Sequence, residues 1–143
     1  MQTFLPYSDF ARSAHVLDTQ RLGKQRVEVL QIFKALTLPN YGWKNHPAIR
    51  MWVGCEKYLG FYGVAICNEW INRGYKDTCR GKIIELASPF VGQMNAPDWL
   101  GYIPLHASHR SNLLRKAPEY YEKFGWLEPH DLPYYWPLVD KAA

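Results

Sequence analysis

The chain has 143 residues, enough for one domain with a real core and too few for two comfortable ones. Hydrophobic residues make up 48% and charged residues 21%, a balance that excludes a disordered chain. No apolar run reaches the length of a membrane span, and Met1-Gln2-Thr3 opens no basic-then-apolar leader, so a soluble, cytoplasmic protein is expected.

The net charge of +4 is unevenly spread. Residues 1–116 carry 15 Lys/Arg against 8 Asp/Glu, while residues 117–143 carry 2 against 5. A basic body is compatible with phosphate contacts. The aromatic share is 15%, with six Trp and ten Tyr, which supplies core and also flat faces on which bases stack. Cys55, Cys67 and Cys79 are odd in number and lack C-x-x-C spacing, so they read as reduced thiols, with Cys67 a small core residue.

In chain order, Ser8 is the expected N-cap of a short first helix. Asp18 caps a second, running to about Leu36, whose Leu22, Val29, Leu30, Phe33 and Leu36 recur at helical spacing and face the core. Thr37 to Gly42 ends it with turn residues. Pro47 suits the first turn of a third helix, capped by Asn45 or His46 and running to Arg73, with Gly74 as its stop. Its apolar residues cover more than one face, so it should be the central, largely buried helix. Residues 75–103 show no sustained period and are expected to form a long irregular connection. Helix resumes near His106 and continues to Lys116. Pro118 begins a short one, and an aromatic, Pro-rich segment from Trp126 to Trp136 follows without regular structure. No alternating strand pattern is present. The expected fold is all-α: a single compact domain over 1–143, with about three main helices.

Arg21, Lys24, Gln25 and Glu28 share one helical face. A carboxylate fixed beside cations suits chemistry in which positive charge develops on a sugar while phosphates are held alongside. The same pattern also describes a solvated helix face with a routine Lys24–Glu28 pair. His106-Ala107-Ser108-His109-Arg110-Ser111-Asn112 gathers polar groups at an expected helix start, where phosphate contact through His106, His109 and Arg110 competes with simple capping. No H-E-x-x-H pattern or third ligand accompanies the histidines, so no metal and no cofactor are expected. Tyr120 and Tyr121, with Phe124 and Trp126, form either a stacking platform or part of the core.

These pieces, in this order, resemble the phage-type pyrimidine-dimer DNA glycosylases and abasic-site lyases, and most nearly a bacterial branch of that superfamily. Leu17-Asp18-Thr19-Gln20-Arg21-Leu22 through Glu28, then Ile32-Phe33 and Ala35-Leu36, carry the likeness. Asn72-Arg73-Gly74-Tyr75, Asp77-Thr78, Tyr102-Ile103-Pro104, Ala107-Ser108 and Pro118-Glu119-Tyr120-Tyr121 through Gly125 continue it. The resemblance implies an all-helical enzyme that extrudes a nucleotide from double-stranded DNA and attacks the sugar with an N-terminal α-amine. Glu28 falls on the family's catalytic glutamate and Gln20 on a DNA-contacting glutamine. Three positions depart from the pattern. Gln2 is bulky, so Met1 is expected to be retained and to supply the amine. Val27 stands where the family has arginine, with Arg26 and Lys24 close by, and Arg21 replaces a histidine. The expected catalytic residues are therefore Met1, Glu28 and Arg26. Gln20, Arg21, Lys24, Gln25, His106, His109, Arg110, Arg115, Lys116, Tyr120 and Tyr121 are the expected contacts to nucleic acid. A DNA-binding module without catalysis and a hydrolase of a small N-glycoside are the competing readings.

Overall fold

A computed structural model describes residues 1–42 and 44–137, so the last stretch of the expected domain, 138–143, lies outside it. The described residues form helices and no strands: α1 Phe10–Val16, α2 Thr19–Thr37, α3 Pro47–Arg50, α4 Glu56–Asn72, α5 Arg80–Ala87, α6 Ile103–Lys116 and α7 Pro118–Tyr121.

Local chemistry sets the boundaries. The Asp9 side chain, not that of Ser8, caps α1 by accepting from the Arg12 N–H, and Asp18 caps α2 by accepting from the Arg21 N–H. His46 caps α3, with Pro47 in its first turn. The expected single helix from Pro47 to Arg73 is two helices. Gly54 takes φ +78°, a conformation no helix interior accommodates, and α4 restarts at Glu56. Nor is α4 buried all round, since Phe61 and Ile71 are exposed. The connection 75–103 is also less irregular than its composition suggests, because it holds α5 and a 3₁₀ turn at Ser88–Phe90.

α4 packs against α1, α2 and α5. Two glycines set how close these helices come. A Cβ on Gly63 would lie 2.8 Å from Val29 Cγ1 and 3.0 Å from Ile83, and one on Gly23 would lie 2.8 Å from the Trp70 ring. Leu22, Val29, Ile32, Phe33, Leu59 and Ile66 fill the space between, with Cys67 among them as expected. At the junction of α1, α2 and α4, Arg73 donates from one nitrogen to the carbonyls of Leu17, His15 and Ala14, while its Nε holds Glu69 at 2.8 Å. Carbonyls left open where α1 ends are thereby satisfied.

The N-terminal segment and residues 128–135 both run along α6. The segment 3–6 is buried, and residues 128–135 are held along the same helix by Ser108, Ser111 and Asn112.

Candidate active site at the N-terminus

Residues 2–6 are gripped one after another by side chains from three helices, α2, α4 and α6, and from the α3–α4 turn. The Gln2 carbonyl accepts from Gln25 Nε2 at 2.8 Å, and Thr3 Oγ1 from Trp52 Nε1 at 3.1 Å. The Tyr62 hydroxyl bridges the N–H and carbonyl of Phe4. His109 Nδ1 accepts the Leu5 N–H and His106 Nδ1 donates to the Leu5 carbonyl, each at 2.8 Å. Arg110 donates to the Pro6 carbonyl at 2.7 Å. Only residue 1 extends beyond this grip, and it enters a cleft of about 530 Å³ walled by Phe4, Gln2 and the exposed face of α2.

Glu28 lies at the base of that cleft. Its side chain is 8% exposed, whereas that of Lys24, with Nζ 3.8 Å away, is 75% exposed. Burial raises the Glu28 pKa above the usual carboxylate range. The N-terminal charge is the strongest influence opposing the rise, ahead of Lys24, the Gln2 backbone amide and Lys116. Met1 and Lys24 therefore both act on Glu28 from within the same cleft. Amine and carboxylate share one cleft.

Gln20, Arg21 and Lys116 complete the rim. Arg21 also pairs with Asp18 at 3.2 Å, and Lys116 Nζ touches the Tyr134 hydroxyl at 3.1 Å. Of the expected site residues, Met1, Glu28, Gln20, Arg21, Lys24 and Lys116 are brought together here.

The others are placed elsewhere, each for a physical reason. Arg26 lies two residues from Glu28, on the far side of α2. There it pairs with Asp77 at 2.6 Å and lies against the Trp70 ring at 4.4 Å, so it does not enter the cleft. Gln25 is fully buried and holds Gln2, so it presents nothing to a ligand outside. His106 and His109 are buried, and they sit inside α6, past its first turn. Burial pushes the His109 pKa down to about 3, with His106, Arg110 and Lys116 adding to the effect. His106 is lowered by burial too, against the hydrogen bond to Leu5 and together with Arg110. Both are therefore neutral backbone clamps. Arg110 is shared between Pro6 and Glu128, the latter at 2.5 Å. Arg115 is exposed and bonded to Asn112 on its own helix. Tyr121 is buried, with its hydroxyl on Asp18 and its ring stacked on Trp126. Tyr120 is half-buried against Tyr121, with Lys123 Nζ 3.9 Å over its ring.

His46, expected only as a helix cap, and Tyr134 and Trp136 were not among the expected site residues. His46 meets Trp136 edge-on at 6.2 Å, and Trp136 packs on Tyr134. Burial, then the N-terminal charge, lowers the His46 pKa. The Pro133-Tyr134-Tyr135-Trp136-Pro137 run was the available signal, because such density of rigid, flat residues costs little order on burial.

Among the described residues no group of three His, Cys, Asp or Glu is placed to hold a metal, and no helix is long and apolar enough to cross a membrane. A family model described as pyrimidine dimer DNA glycosylase matches residues 1–82, from the amine through Glu28 to the start of α5. The likeness at Tyr102–Pro104, Ala107-Ser108 and Pro118–Gly125 falls outside the matched residues. No curated protein and no solved structure matches the chain.

Proposed function

The chain belongs to the pyrimidine dimer DNA glycosylase family, and we propose that it excises a damaged or modified base from double-stranded DNA, with the α-amine of Met1 as nucleophile and Glu28 as its partner carboxylate. The observation that carries this reading is the shared cleft, lined by Met1 and Glu28 together with Gln20, Arg21, Lys24 and Lys116. An α-amine suits the task, since its usual pKa of about 7.7–8.0 leaves far more free base at neutral pH than a lysine has.

The steps balance on these two groups. The neutral amine attacks the sugar C1′, a nitrogen–carbon bond forms, and the bond from C1′ to the base breaks. The departing base takes the electron pair and then a proton. Loss of a proton from nitrogen and opening of the ring leave an imine. Removal of a C2′ proton then expels the 3′ phosphate, which is the lyase step. Glu28 is placed to counter the positive charge on the sugar and the imine nitrogen, and to move protons between steps.

The cleft volume lies in the range of single-ligand sites, so it has room for one extruded nucleotide. Arg21, Lys24 and Lys116 stand at the rim where flanking phosphates would run, and Gln20 beside them. Tyr134 and Trp136 offer a surface for stacking.

Borohydride trapping on a duplex containing an abasic site tests the reading. The expected product is a covalent adduct whose mass maps to Met1. Binding without any adduct would leave a DNA-binding module and reject the imine route.

A further inference from the structure

We infer that Gln25 is a positioning residue for the amine step: by holding the Gln2 carbonyl it sets the pose of the Met1 amine above Glu28. The inference rests on the amine reading above and adds a residue that does not touch substrate.

The Gln2 carbonyl can only accept, so the 2.8 Å bond fixes which end of the Gln25 amide faces it. The other end, Oε1, is then buried and has no protein donor. Such a residue is a poor choice for packing alone, because leucine or methionine would fill similar space without stranding a polar atom. Gln25 sits three residues before Glu28 on the same face of α2, so one rigid helix carries both the carboxylate and the anchor for the amine. Thr3 N–H also bonds the Gln2 side chain at 2.8 Å, fixing the residue from its other side. With planar peptides, only φ and ψ of Gln2 and ψ of Met1 separate the anchored carbonyl from the amine. Releasing the carbonyl frees those torsions. Small misplacements of a nucleophile are costly in rate while leaving affinity for DNA intact.

The test compares wild type with Gln25→Leu, and with Gln25→Met should the leucine variant lose its cooperative melt. Single-turnover trapping on abasic-site duplex is read beside the Kd for a duplex carrying a reduced, unreactive abasic site. Loss of Gln25 is expected to leave Kd within about twofold and to slow trapping roughly 10- to 100-fold. Trace acetylation of the Met1 amine with acetic anhydride at one fixed pH, followed by mass spectrometry without DNA, gives an independent readout. Replacing Gln25 should change that acetylation rate, because the amine is no longer held in one pose. Equal trapping rates, or equal acetylation rates, with and without Gln25 overturn the inference. Absence of trapping in wild type would reject the amine reading itself, and the acetylation rates would still decide whether Gln25 positions the amine.

Discussion

His109 accepts the Leu5 N–H through Nδ1 at 2.8 Å, joining two residues 104 positions apart in a buried pair. The acceptor role requires that nitrogen to be unprotonated, and burial holds the pKa down at about 3. In the unfolded chain the imidazole takes a proton near its ordinary value, about 6.5. Below that pH the unfolded state therefore binds more protons, and stability is lost as pH falls from about 6.5 toward 3. His109→Gln, which keeps an acceptor without a titrating ring, should flatten urea-derived stability against pH by up to about 1.4 kcal/mol per pH unit in that window.

Glu28 contributes with the opposite sign. Its folded pKa is raised, chiefly by burial, so protonation favours the native state and its contribution to stability falls as pH rises through the window above the usual carboxylate range. Glu28→Gln should therefore melt no lower than wild type at pH 7, while trapping on abasic-site DNA falls by about 10²-fold or more. A variant that loses stability and activity together would mean that Glu28 is held for the fold.

Both of these residues show what the sequence could and could not tell. The face shared by Arg21, Lys24 and Glu28 was legible because a helical face is a local property, though only the family resemblance singled out Glu28, and Asp18, Pro47 and the spacing of Leu22, Val29 and Phe33 marked helices for the same reason. The polar run on α6 misled because its partners are remote. Buried side chains that clamp Leu5 or the 128–135 segment look, in sequence, the same as a solvated or phosphate-binding face. α5 was missed because it buries only Ile83, which leaves no period to read. The break before α4 was missed because a helical pattern of apolar residues runs straight across Gly54, and only its backbone angle reveals the turn.

Lys24 and Lys116 project at the cleft rim, and DNA that crosses it should release counterions from phosphates near both. Lys24→Gln and Lys116→Gln should each weaken binding of any duplex and lower the slope of log K against log salt by about one. Lys82→Gln, on the exposed side of α5, should leave the slope unchanged.

Arg26 offers a contrast within the same helix. Burial alone would raise the Asp77 pKa, yet the hydrogen bond from Arg26, with the N–H groups of Arg80 and Cys79, brings it below the ordinary value. Arg26→Met leaves the Asp77 carboxylate with only its backbone N–H donors and should cost about 1–3 kcal/mol in chemical unfolding. Trapping by the folded fraction should be unaffected. A selective loss of trapping would return Arg26 to the chemistry.

Arg73→Ala opens the junction of α1, α2 and α4 and should lower stability by about 2–4 kcal/mol, because several carbonyls lose a charged donor at once. Arg73→Lys should recover only part of this, since a single ammonium cannot hold Glu69, the Thr19 hydroxyl and the carbonyls from three separate nitrogens.

α2 therefore answers to two different constraints on its two sides. Gly23 and Arg26 fit against Trp70 and Asp77 with no room to change, whereas Gln20, Arg21 and Lys24 face solvent and carry little of the packing. Over evolutionary time the outer side can trade one rim residue for another while the inner side keeps the helix seated. On the function proposed above, a lineage built on this chain would change its choice of lesion through rim substitutions that cost almost no stability.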